Sequence, residues 1–378
     1  MPQLVEEFYS QYKTGQTNEI IESLNEQAKA FWEIGARDFD RFYLGNACRL
    51  ADKNLDKDKT GRIDFANIEG GPFAALIVRE QRNSAGNLIA PPIVIGAGAN
   101  HVVPENDPSA HGEMSAIRDA TKRQGNSDLS RTRMYTSCEC CPQCQAASTG
   151  VGIKNIAFAN TRQDAADIGF SDAEQYTQIE KGMTNHMTKL DSLPDAKKAD
   201  WREKLGDHGA VILNNNGEIV AYGDVDLTSN DPMCSLPSMN AIRAACKKVG
   251  DFHLPENYTL ITKNAPHPTA FTTADWARIG RDRHPVAKDD PSKDTKNSRG
   301  IVYINPTPEE MQVINSEGLV RVLRTAADTE LDVKKPPKDR TLVPTAHYEK
   351  IFGALNAFKR WAQLTSPSQP LAAVARKY

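Results

Sequence analysis

The segments NDPSAHGEMSAIR (Asn106–Arg118) and TSCECCPQC (Thr136–Cys144) decide how this chain is read. One residue separates His111 from Glu113, two separate Cys141 from Cys144, and Cys141 follows His111 by thirty positions. A catalytic zinc site takes three protein ligands and keeps a fourth position for water. Two cysteines at i and i+3 of a helix start point the same way, and the positive end of the helix dipole favours their thiolates. His111, opening its own helix, supplies the third ligand. Glu113, two residues on, reaches the water without ligating the metal. C-x-x-C by itself also marks structural zinc, which needs a fourth protein ligand, and Cys138 or Cys140 is available for that role.

The flanking segments read as alternating strands and helices. GGPFAALIV (Gly70–Val78) is a buried strand opened by glycines and proline, and a second strand follows around Pro92–Ala97. His111–Gln124 has helical periodicity, Thr132–Thr136 is a strand, Cys141–Ser148 starts a helix and Lys154–Ala159 is a strand. The order β-β-α-β-α-β is that of an α/β sandwich. Upstream, Phe31, Ile34, Phe39, Phe42, Leu44 and Leu50 recur at helical spacing across Ala28–Asp52. The polar run Asn54–Arg62 lacks the terminal Glu of a calcium loop.

The later chain echoes this pattern. His208–Gly223 reads as a hairpin with an Asn/Gly turn. MNAIRAACKKVG (Met239–Gly250) parallels MSAIRDATKRQG (Met114–Gly125) at an offset of 125 positions. Residues 284–300 form a polar insertion expected to be a mobile loop, 332–340 a linker, and His347–Gln363 a last helix. The expected organisation is a helical segment (1–60), a region carrying the His/Glu and Cys/Cys motifs (61–190), a second related region (195–330), and a linker, helix and tail (331–378).

The 378 residues suffice for two domains; a quarter of them are charged and 39% are hydrophobic, as in globular proteins. A net charge of −3 gives no pointer to nucleic acid, and no apolar run is long enough for a membrane span. MPQLVEEFYS lacks the n- and h-regions of a signal peptide, and four of seven cysteines crowd into Cys138–Cys144, which fits metal binding in a reducing cytoplasm.

These motifs carry a resemblance. TSCECCPQC is similar to the T-S-C-E-P-C-P-x-C string of nucleobase deaminases, and NDPSAHGEMSAIR to their N-D-P-x-A-H-A-E-x-x-A-I-R. DAADIGFSD (Asp164–Asp172), Gly70–Phe73 and Gly98–Asn100 resemble the guanine deaminases of the cytidine-deaminase superfamily. The resemblance covers about residues 65–180. It implies a three-layer α/β/α cytidine-deaminase-like fold, here in two tandem repeats. It also implies Zn2+ held by His111, Cys141 and Cys144, and hydrolysis of guanine to xanthine and ammonia, with water activated on zinc and Glu113 as proton shuttle. Asn100 would hydrogen-bond the base, Phe73 pack on its ring and Asp172 contact its edge. Tyr378 would close the site on a tail like the one family members exchange between subunits. Cys140, Gly112 and Gln143 depart from the family strings, and none of them removes a ligand.

Aligning the two helices sets Leu236, Pro237 and Ser238 opposite His111, Gly112 and Glu113. Aligning Thr262 with Thr136 sets His267 opposite Cys141 and Ala270 opposite Cys144. The second repeat is therefore expected to be catalytically dead and to serve as a built-in partner subunit, an intrachain pseudo-dimer open to further homo-oligomerisation. The expected partner is a small-molecule nucleobase. The competing readings are deamination of guanosine, cytosine, an aminotriazine or tRNA adenosine, a secreted toxin, and a zinc scaffold without activity.

Overall fold

The computed structural model describes residues 17–35, 38–55, 70–173, 175–176, 187–226, 231, 236–255, 257–279, 300–308 and 340–342. The expected insertion at 284–300 lies outside them apart from Gly300, as do the last helix and the tail with Tyr378.

Two amphipathic helices open the fold, α1 (Thr17–Glu33) and α2 (Phe39–Leu55). The apolar spacing across Ala28–Asp52 reads as one helix, but the chain turns at Ile34–Gly35, which leaves Ile34 65% exposed. Strands β1 (Ala74–Arg79) and β2 (Ile93–Ala99) follow, then the short α3 (Val102–Glu105), α4 (Gly112–Gln124), β3 (Thr132–Cys138), α5 (Pro142–Gly150), β4 (Asn155–Asn160) and α6 (Arg162–Asp167). The strand expected from Gly70 starts only at Ala74, because Gly70–Phe73 wraps against Asn100.

β1 is an interior strand of its sheet, antiparallel to both β2 and β3, and β3 runs parallel to β4. Being covered on both faces, β1 reads as a continuous apolar run. Its Ala74, Leu76 and Val78 join the core under α1 and α2, while Ala75 and Ile77 join the core under α4 and α5. A sheet between two helical layers results. Helix α4 lies very close to β2: a Cβ added at Gly98 would stand 2.2 Å from Ala116 N and 2.6 Å from Gly112 O. Only glycine permits this approach, and the approach seats the start of α4, with His111 and Glu113, over the end of the sheet.

The remaining described strands and α-helices are β5 (Met187–Lys189), α7 (Asp195–Leu205), β6 (Ala210–Leu213), β7 (Ile219–Gly223), α8 (Pro237–Val249), β8 (Thr259–Ala265), α9 (Pro268–Trp276), β9 (Ile301–Pro308) and β10 (Arg340–Leu342). The first sheet has the order β10-β4-β3-β1-β2 and the second β5-β9-β8-β6-β7. Pairing senses match position by position: β6 is antiparallel to β7 and β8, and β8 is parallel to β9. Gly223 in β7 repeats the role of Gly98, its added Cβ falling 2.0 Å from Pro237 O.

The edge strands cross over. β5 follows the first sheet's strands in sequence but pairs with β9, and β10 follows β9 but pairs with β4. The two helical layers also meet, since Leu236, Met239 and Ala270 are buried in one cluster with Met114, Ile117, Cys140 and Cys144. No helix among the described residues is long and apolar enough to cross a membrane.

Candidate metal centre

His111 and Cys141 are each the N-cap of a helix, with extended backbones that turn their side chains toward the same point. Pro142 at the first position of α5 has no N–H to leave unsatisfied, and its fixed φ starts the helix. Cys144, three residues past Cys141, then returns to the same side. His111 Nδ1 lies 3.5 Å from both Cys141 Sγ and Cys144 Sγ, and the two sulfurs are 3.5 Å apart. Three corners of a zinc tetrahedron with usual Zn–S and Zn–N bonds are separated by about 3.6–3.8 Å. The triangle therefore fits zinc with little adjustment, and these three residues are the group of metal-type ligands the described residues bring together.

Cys138 and Cys140 point elsewhere. Cys138 Sγ faces Thr161 O at 3.5 Å, and Cys140 Sγ packs 3.9 Å from Met134 Sδ. Glu113 lies beside the triangle instead, its Oε2 3.5 Å from Cys144 Sγ and its Oε1 3.3 Å from Thr136 Oγ1. Glu113 is buried, and that burial, reinforced by the charge of Cys141, raises its carboxyl above the usual range. Burial pushes the Cys141 thiol up, but hydrogen bonding from Cys144 and the charge of His111 outweigh it and bring the thiol well below its ordinary value. Cys144, buried beside that thiolate, is raised. Burial pulls His111 down, and Cys141, Glu113 and Asp107 more than restore it.

His111, Cys141 and Glu113 form part of the wall of a cavity that opens to solvent. Phe73, Asn100 and Asp172 reach the same cavity. Asn100 Oδ1 accepts hydrogen bonds from the N–H groups of Gly71 and Val102, which leaves the NH2 end of the amide to donate to a ligand. Buried Asn54, on α2, holds this corner by donating to Gly71 O and Asn100 O. Phe73 meets Phe170 edge-on, with ring centroids 4.8 Å apart. Asp172 is pushed up to about 7 by burial and by the charge of Cys141, against the pull of Arg162.

Two wall residues come from the second half of the chain, Phe252 and Trp276. The Trp276 ring stands edge-on to His111, with centroids 5.5 Å apart, and its buried indole N–H has no protein partner among the described residues. The sequence reading missed both, along with Asn54. The one available signal was the match of α8 to α4, and it does not say that the two halves pack with α9 against the metal corner.

The positions aligned with the ligands are filled differently in the second half. Leu236, His267 and Ala270 are all fully buried. His267 Nδ1 accepts from Thr269 N as a helix cap, and burial depresses the imidazole to about 3.

Comparison with known proteins agrees with this geometry. Residues 65–160 match the family described as the cytidine and deoxycytidylate deaminase zinc-binding region. Guanine deaminase of Bacillus subtilis (strain 168) is 39% identical over 112 residues, covering 30% of this chain and 65% of that protein. A tRNA-specific adenosine deaminase of Haemophilus influenzae is 29% identical over 132 residues, covering 35% of this chain and 64% of that protein. The chain thus spans a little under two thirds of the length of these curated relatives. An X-ray structure of the Bacillus subtilis guanine deaminase aligns at 35% identity over 36% of this chain and 74% of that one, with a TM-score of 0.30. Residues 65–160 thus form a region similar to the cytidine and deoxycytidylate deaminase zinc-binding region, and a guanine deaminase is among the proteins the chain resembles.

Proposed function

We propose that this chain is a zinc-dependent hydrolytic deaminase of a purine base, with guanine, converted to xanthine and ammonia, as the substrate. The observation that carries the reading is the 3.5 Å triangle of His111, Cys141 and Cys144, with the Glu113 carboxyl beside it inside a cavity. Three ligands and an open side are the arrangement of a catalytic zinc rather than a structural one. Bound zinc supplies Lewis acidity that makes water nucleophilic at neutral pH. Glu113 holds and moves the proton, taking it from water and returning it to the leaving amine. A raised carboxyl pKa suits a group that must both accept and donate.

A flat heterocycle fits between the aromatic walls of Phe73 and Trp276, Asn100 donates to an acceptor on the base, and Asp172 contacts its amino-bearing edge. The similarity to a guanine deaminase supports guanine among the purines. The second half acts as a built-in partner subunit without a metal site of its own. Its matching strand order, the exchanged edge strands and the shared core support this pseudo-dimer.

The test incubates the full zinc-loaded chain with guanine, guanosine, cytosine and adenine and measures ammonia, with Glu113→Ala as control. Release from guanine that disappears in the variant is expected. Release from another base would keep the mechanism and discard the substrate. No release from any of them would reject the reading.

A further inference from the structure

Two arginines and two aspartates meet where the helical layers of the two sheets face each other. Arg243 on α8 donates from Nε to Asp107 Oδ2 at 2.9 Å and from Nη1 to Asp231 Oδ2 at 3.3 Å. Arg118 on α4 donates from Nε to Asp231 Oδ2 at 3.0 Å, and its Nη1 lies 3.8 Å from Asp107 Oδ2. Each guanidinium thus faces both carboxylates. Arg118 and Arg243 occupy the same place in the two matched helices, 125 positions apart, so the cluster straddles the pseudo-twofold relation between the halves.

The cluster is not only a joint between halves. The Asp107 side chain is 0% exposed. Its Oδ1 accepts from Ser109 N at 2.8 Å and from Ser109 Oγ at 2.6 Å, while Arg118 Nη2 donates to Ser109 Oγ at 2.7 Å. Ala110 N donates to Asp107 O, and Ala110 O accepts from His101 N. This network holds Asp107, Ser109 and Ala110 in the turn that delivers the backbone to His111. A buried carboxylate that loses one of its two cations does not stay in place at no cost. Groups that orient a metal ligand from outside typically change metal affinity 10–100-fold when removed.

We propose that Arg243, which belongs to the second half of the chain, is a positioning residue for the metal centre of the first half. Acting through Asp107 and Ser109, it holds the turn that presents His111. The second half would then set the geometry of the zinc ligands as well as wall the cavity. This rests on the reading of His111 as a ligand.

The experiment uses the full chain and measures zinc affinity by competition with a chromophoric chelator, and the visible ligand-field bands of the chain loaded with cobalt(II). It compares the parent with Arg243→Lys, Arg243→Gln and a control, Leu260→Ala, which removes core shared with α8 but no member of the ion-pair cluster. Arg243→Lys keeps the charge should the glutamine variant fail to fold. The expected result is a loss of affinity of about tenfold in Arg243→Lys and up to about a hundredfold in Arg243→Gln, with shifted cobalt bands. Leu260→Ala should leave both readouts unchanged while lowering the melting temperature. Parental affinity and bands in the folded Arg243 variants, or equal losses in Leu260→Ala, would reduce the cluster to a structural joint. A parent chain that binds neither metal would instead overturn the metal reading itself.

Discussion

Acid should weaken this fold through His267, and replacing that residue should remove a calculable part of the effect. His267 is completely buried, caps α9 by accepting from Thr269 N, and has no protein partner for Nε2 among the described residues. Burial depresses its pKa to about 3. In the unfolded chain a histidine titrates near about 6.5. As pH falls below that value the unfolded state gains a proton that the folded state refuses, so stability drops and goes on dropping until about pH 3. Between pH 7 and pH 5 the loss from this one group is about 2 kcal/mol. Asparagine is a good helix cap that does not titrate, so His267→Asn keeps the hydrogen bond and deletes the proton site. Urea unfolding of parent and variant at pH 7 and pH 5 measures the difference directly. The parent should lose about 2 kcal/mol more than the variant on acidification. Equal losses in both would mean that His267 is solvated or charged in the folded chain, and the reasoning that makes the second half's ligand position a dry structural cap would fail.

Three other outcomes are expected. Trp276→Ala should raise KM for the purine about five- to thirtyfold, the worth of roughly 1–2 kcal/mol of aromatic contact, while zinc content measured by absorption stays unchanged. Gly98→Ala should cost about 1–3 kcal/mol or more in unfolding experiments, because the new methyl would press against the backbone of α4 at Ala116 and Gly112. Gln143→Met should raise the melting temperature, since Gln143 is fully buried with neither amide atom partnered among the described residues, and each such group costs about 1–3 kcal/mol.

What the sequence disclosed follows physical range. His111, Glu113, Cys141 and Cys144 were legible because their geometry is local: two helix starts, a spacing of three residues and one strand between them. Strands β1 to β4 were legible for the same reason, apart from end residues such as Gly70–Phe73, whose contacts with Asn100 set the boundary. The break at Ile34–Gly35 was hidden because apolar residues keep helical spacing on both sides of it. Phe252 and Trp276 as cavity walls, and Arg243 as the partner of Asp107, were invisible, because only the packing of one half on the other brings them there. β5 and β10, three residues each, carry no alternation long enough to detect, and their crossed pairing depends on both sheets being in place.

The account stands on an open, three-ligand zinc site, and X-ray absorption at the zinc edge of the loaded chain tests that most directly. The expected result is one zinc per chain with two sulfur neighbours, one nitrogen and one oxygen. Three or four sulfurs, or two zincs per chain, would contradict it by bringing Cys138 or Cys140 to the metal or by placing a second metal site outside the first half.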